Sequence, residues 1–107
     1  MDFVVKAYVL LEKFPPKEQY ALTEQLRRSL VSIPSNIAEG CARFSDKETI
    51  HFLDMANGSL AELETQVLIS QELGYLSNNS VVSKINDISR MLTGLKKHLK
   101  NKVVFDD

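Results

Sequence analysis

The chain has 107 residues, 44% hydrophobic and 25% charged, with a net charge of −1 and a pI of about 6.1. That length fits one domain over residues 1–107, burying roughly 65% of the surface its unfolded chain exposes, and that charge lacks the basic excess of a strong non-specific nucleic-acid binder. No apolar run approaches the ~20 residues of a membrane span, Met1-Asp-Phe-Val-Val-Lys6 has no secretory core, and the lone Cys41 cannot form an internal disulfide, so a reducing cytoplasm is the expected home.

Val4, Ala7, Tyr8, Leu11 and Phe14 share one helical stripe, and Pro15-Pro16 stops it. Lys17 to Leu22 reads as a connector with one short turn. Thr23 is the expected N-cap of a second helix, with Glu24 set against its dipole. That helix is predicted to run to about Arg43, because Leu22, Leu26, Leu30, Ile33 and Ile37 keep helical spacing through Pro34. A proline inside a helix removes one hydrogen bond and presses on the carbonyl four residues back, here that of Leu30, at a cost of about 3 kcal/mol. The expectation is a kinked helix whose freed or neighbouring carbonyls are met by Asn36, Ser32 or Arg27.

Ser45-Asp-Lys-Glu48 is a capping box and opens a third helix to Leu73, closed by Gly74 in the left-handed conformation. Leu76-Ser-Asn-Asn-Ser80 is a turn rich in cap formers. The fourth helix carries Val81, Ile85, Ile88, Leu92, Leu95 and Leu99, a heptad seam. Val103-Val-Phe105 forms an apolar tail. The predicted fold is all-α, an up-down-up-down antiparallel four-helix bundle with its second helix kinked at Pro34.

Asp46 to Glu72 holds six acids against Lys47, a net −5, and Lys84 to Lys102 holds six bases against Asp87, a net +5. Adjacent antiparallel helices of opposite sign attract. Turning at Leu76–Ser77 sets Glu64 level with Arg90, and Asp54 level with Lys97 and Lys100. Turning at Phe44–Ser45 sets Arg27 level with Glu62. Gly40 and Gly58 invite close backbone approach of the second and third helices. Ile50, Phe52, Leu53, Met55, Ala56, Leu60, Leu63, Val67, Leu68 and Ile69 exceed one stripe, so the third helix needs more cover than its own chain supplies.

Glu39 and Arg43 stand in the favourable i,i+4 order. A polar network around the proline, at a subunit contact or ligand cleft, would use Arg27, Asn36, Glu39, Arg43, Glu62 and Glu64. Glu48-Thr-Ile-His51 has Glu-x-x-His spacing, but a di-metal bundle repeats that motif on a second helix, and His98 lacks the glutamate. No metal, cofactor or catalytic residue is assigned. Cys41 reads as a small packed residue. Lys96, Lys97, His98, Lys100 and Lys102 form a basic cluster that suits a helix C-terminus or a phosphate-contacting patch. The eight aromatic residues, among them Tyr20, Phe44 and Phe105, form no base-stacking array, and most read as core.

Gln25-Leu-Arg-Arg28, Ser32-Ile-Pro-Ser-Asn-Ile-Ala-Glu-Gly40, Arg43 and Gly58-Ser-Leu-Ala-Glu-Leu-Glu-Thr-Gln66, followed by Leu73-Gly-Tyr75, resemble the four-helix-bundle family of rRNA-intervening-sequence proteins. The likeness runs from the first helix to the fourth. It implies a small helical bundle that assembles into a ring-shaped homo-oligomer, a pentamer, in bacteria. Members are encoded within insertions in large-subunit ribosomal RNA genes or elsewhere in bacterial genomes. A related branch serves diversity-generating retroelements as a basic accessory protein that engages nucleic acid and a reverse transcriptase. This chain departs from that branch in being slightly acidic. The resemblance supplies no catalytic residue. Two functions follow as expectations: a non-enzymatic protein that assembles with itself and presents a surface to a partner, or an RNA- or DNA-binding accessory module using Arg27, Arg28, Arg90, Lys96, Lys97 and Lys100.

Overall fold

Four α-helices form a rod of 52 × 22 × 20 Å in the computed structural model, which describes residues 2–77 and 81–106, the side chains of 103–106 excepted. They are α1 (Asp2–Leu10), α2 (Leu22–Cys41), α3 (Asp46–Glu72) and α4 (Val81–Asp106), with short 3₁₀ turns at Leu11–Lys13 and Pro16–Glu18. α2 and α4 both pack along α3, and α1 lies on the start of α2. The radius of gyration, 15.5 Å, exceeds the ~13 Å of a compact 100-residue domain. The excess comes from α3 and α4, each about 40 Å long at 1.5 Å per residue.

The core follows the apolar stripes. Leu26, Leu30 and Ile33 of α2 meet Leu53, Ala56, Leu60, Leu63 and Val67 of α3, with Ile85 and Leu92 of α4 closing the layer. α2 runs uninterrupted through Pro34, with Ile33 buried and Ile37 packed against the core. α1 ends at Leu10, earlier than its stripe suggests. Leu11 and Phe14 still reach the core through the 3₁₀ turn and an extended residue before Pro15, while Tyr8 stays exposed.

Local signals set two boundaries as expected. Glu48 N–H donates to Ser45 Oγ at 3.1 Å, opening α3. Gly74 has φ of 80°, and Gly74 and Tyr75 N–H groups donate to the Gln71 and Ser70 carbonyls, a complete Schellman closure. The second helix differs. It starts at Leu22 after Ala21, without a side-chain cap, and Thr23 is buried inside the first turn instead of capping it. Burying Leu22 and Thr23 takes precedence over exposing a hydroxyl cap. Residues 78–80 of the predicted turn lie outside the described residues, as do the side chains of the Val103–Phe105 tail.

Two aromatic expectations change. Tyr20 is 89% exposed and Phe44 fully so, because both sit in connections that project past the helix ends. Phe14 alone among the described aromatics is buried, tilted against Tyr75 at 5.5 Å. Cys41 is exposed rather than packed, since the last turn of α2 has passed its contact with α3 at Gly40.

Candidate functional site

The contact between α2 and α3 has two sides. One is the apolar core; the other is a polar seam built by the motif residues. Ser29, Ser32 and Asn36 recur at helical spacing on α2, and Ser59 and Gln66 lie one heptad apart on α3. The Ser29 hydroxyl donates to Gln66 Oε1 at 3.0 Å, and the Ser32 and Ser59 hydroxyls share a bond of 2.7 Å. Asn36 Nδ2 donates to both the carbonyl and the Oγ of Ser32, each at 2.9 Å. An asparagine two residues past the proline therefore binds a carbonyl within the turn that Pro34 disturbs. It meets a neighbouring carbonyl of that turn, not the Leu30 carbonyl that Pro34 frees.

Gly40 ends the seam. A Cβ built there would lie 3.1 Å from Phe52 Cβ and 3.3 Å from the Thr49 carbonyl. Thr49 Oγ1 donates to the Gly40 carbonyl at 2.8 Å, so glycine and threonine together draw α2 onto α3. Gly58 does not take part: it is exposed, with nothing within 4 Å of the place a methyl group would take. Gly58 lies off the face of α3 that meets α2, and the expected close approach there does not occur.

Above the seam lies an open groove of ≈ 770 Å³, bordered by Gln25, Arg28, Ser32, Glu62, Thr65 and Gln66. Its lining mixes hydroxyls, amides and one charge of each sign with the apolar side chains of Ala61 and Ile69. The groove can accept and donate hydrogen bonds, but it contains no nucleophile paired with a base.

The six residues expected to form one polar network do not meet among the described residues. Asn36 belongs to the serine seam. Glu39 and Arg43 pair at 2.7 Å, with the Arg43 guanidinium 4.7 Å from the Phe52 ring centroid. Arg27 sits over Tyr8 at 5.9 Å and 3.8 Å from Glu24. Glu62 borders the groove, and Glu64 stands half-buried elsewhere on α3. Ser29, Ser59, Gln66 and Thr49 are the partners that sequence reasoning left out. The spacing of Ser29, Ser32 and Asn36 on α2 is the one signal in the sequence; the α3 partners show only once the helices are packed.

Most of the candidate phosphate-contacting cations have acidic neighbours. Arg27 and Arg28 share Glu24, Arg90 pairs with Asp87, and Lys96 Nζ lies 2.7 Å from Asp54. Lys102 reaches Asp46 at 3.6 Å. Lys97 and Lys100 are exposed without an ion partner among the described residues. Two expected levels shift accordingly. Arg90 takes Asp87 rather than Glu64, and Arg27 takes Glu24 rather than Glu62. Partners on the same helix lie one turn away and cost less ordering than partners across a gap. The α3–α4 register is centred on Gly74 and Tyr75, because the Schellman closure turns the chain before Leu76. Lys96, rather than Lys97 or Lys100, thus faces Asp54.

His51 packs edge-on against Phe52, and no group of three or more metal-ligating side chains gathers among the described residues. No helix is long and apolar enough to cross a membrane, among the described residues.

A family model described as 23S rRNA-intervening sequence protein matches residues 1–94. The chain belongs to that family. The match takes in α1, α2, α3 and both seam motifs, and stops inside α4 before Lys96. No curated protein matches the chain. The polar seam thus lies within the matched residues, and the basic cluster lies beyond them.

Proposed function

We propose that this 23S rRNA-intervening sequence protein is a non-enzymatic building block of a ring-like homo-oligomer, which presents a composite surface to a partner in a reducing cytoplasm. The subunit count, five, comes from the family resemblance. The observation that carries the reading is uncovered apolar surface on all four helices. Val5 and Val9 of α1, Val31 of α2, Met55, Leu68 and Ile69 of α3, Leu73 just past its end, and Met91 of α4 are 45–72% exposed. Leu95 belongs to the α4 seam yet is 42% exposed. α1 and α4 line a shared cavity at Val81 and Lys84, and the nine residues of α1 reach about 14 Å along a helix nearly three times as long. A rod this thin leaves flanks that its own chain cannot cover. Light scattering of the full chain at micromolar concentration tests the reading: a multimer mass is expected, and a monomer mass refutes it.

A second reading, binding of RNA or DNA, has Lys97 and Lys100 in its favour. Against it, four of its six candidate cations already have intrachain acids, and the net charge is −1. Titration of labelled RNA at several salt concentrations decides it. Contacts from two lysines per chain give a shallow salt slope, and no salt-dependent binding removes the reading.

A further inference from the structure

We propose that the cavity between α1 and α4 binds a small aliphatic carboxylic acid, its hydrocarbon chain inside and its carboxylate at the mouth between Lys6 and Lys84. The site is independent of the self-assembly proposed above. Phe3, Ala7 and Leu10 pack against the core from one side of α1, yet no residue of that helix is fully buried. The space left beneath them is a cavity of ≈ 200 Å³, closed on the α4 side by Val81. A second space, of ≈ 20 Å³, shares the walls Ala7, Leu10 and Val81 and reaches Leu26, Leu30, Leu63 and Val67. All the side chains lining it are apolar, so a water molecule there finds no polar partners.

The mouth has the opposite character. Asp2 and Lys6 lie one turn apart on α1, and Lys84 lies one turn past Val81 on α4. Both lysines are exposed and have no ion partner among the described residues. With Asp2 they give the rim a net charge of +1. These features select the occupant. An apolar interior takes a hydrocarbon chain and rejects a polar body, whose groups would lie unpaired. A rim of +1 suits one carboxylate and falls short of a phosphate monoester, which carries about −1.5 to −2 at pH 7. At about 30 Å³ for each water-sized group, a cavity of ≈ 200 Å³ has room for about seven carbons beyond the carboxylate.

Octanoate is the probe, titrated into the full chain and followed by calorimetry and by the NMR shifts of the Ala7 and Val81 methyl groups. Saturable binding is expected, with hexanoate, two methylenes shorter, about tenfold weaker. The variant Lys6→Met/Lys84→Met is expected to weaken octanoate about tenfold and to leave 1-octanol unchanged. Both lysines are exposed, so circular dichroism is expected to retain wild-type helix content. Asp2→Asn is expected to tighten octanoate about twofold. Ala7→Leu fills the cavity and is expected to abolish binding of both probes. A helical wild-type chain that does not bind octanoate overturns the proposal. So does an affinity indifferent to the two lysines, an equal loss of 1-octanol in the lysine variant, or octylamine binding as tightly as octanoate. Retained binding in Ala7→Leu places the acid elsewhere and overturns it too. Sedimentation with phosphatidylglycerol vesicles in place of octanoate binding assigns the patch to a membrane surface and also overturns it.

Discussion

Placing a methyl group at Gly40 tests how α2 and α3 are held together. Two opposing terms decide the outcome. Gly40 lies within α2, and replacing glycine by alanine in a helix interior gains about 1 kcal/mol of propensity. The new Cβ, however, would sit 3.1 Å from Phe52 Cβ and 3.3 Å from the Thr49 carbonyl. Both obstacles are anchored to the α3 backbone, so neither can rotate away. The helices must part by a few tenths of an ångström in a packed core, which costs about 1–3 kcal/mol. Parting also stretches the 2.8 Å bond from Thr49 Oγ1 to the Gly40 carbonyl, a contact contributing about 1 kcal/mol. The expected net effect of Gly40→Ala is a loss of about 1–2 kcal/mol, despite the better helix former. Gly58→Ala provides the opposite sign. That position is exposed within α3, with free space around the new methyl, so a gain of about 1 kcal/mol is expected. Urea denaturation followed by circular dichroism at 222 nm measures both. A Gly40→Ala chain as stable as wild type, or more so, refutes the reasoning that glycine is there to let two backbones meet.

Other expected outcomes come from the polar seam and the α3–α4 register. Asn36→Ala removes both bonds to Ser32 beside the proline turn and is expected to cost about 1–2 kcal/mol, read by the same denaturation; no loss would mean that Pro34 is accommodated without it. A double-mutant cycle on Asp54 and Lys96 is expected to give a coupling of about 0–1 kcal/mol that shrinks in high salt, since Asp54 is more than half exposed. The cycle of Asp54 with Lys100 is expected to give none, and coupling there would refute the register centred on Gly74 and Tyr75.

Several features were legible from residues alone because their causes are local. Four helices follow from apolar spacing, the start of α3 from a serine hydroxyl three residues before an amide, and its end from a glycine free to take positive φ. The resemblance carried by the two motif stretches also held, since the family match spans both. What the motifs do could not be read as directly. Ser29, Ser59 and Gln66 look like ordinary surface residues in a linear text, and only the crossing of α2 over α3 brings them into one seam.

Short-range chemistry, then, was determined by sequence: which segments wind, where α3 starts and stops, and which side of each is apolar. Tertiary structure alone decided the start of α2, where burial of Leu22 and Thr23 displaced the expected cap. It also decided which cation meets which acid, because ion pairing falls off within one turn and a two-residue change in the turn between helices exchanges partners. Finally, it separated Gly40 from Gly58. Both are glycines in helices, but only one lies where two backbones converge, and convergence belongs to a pair of helices rather than to either chain segment.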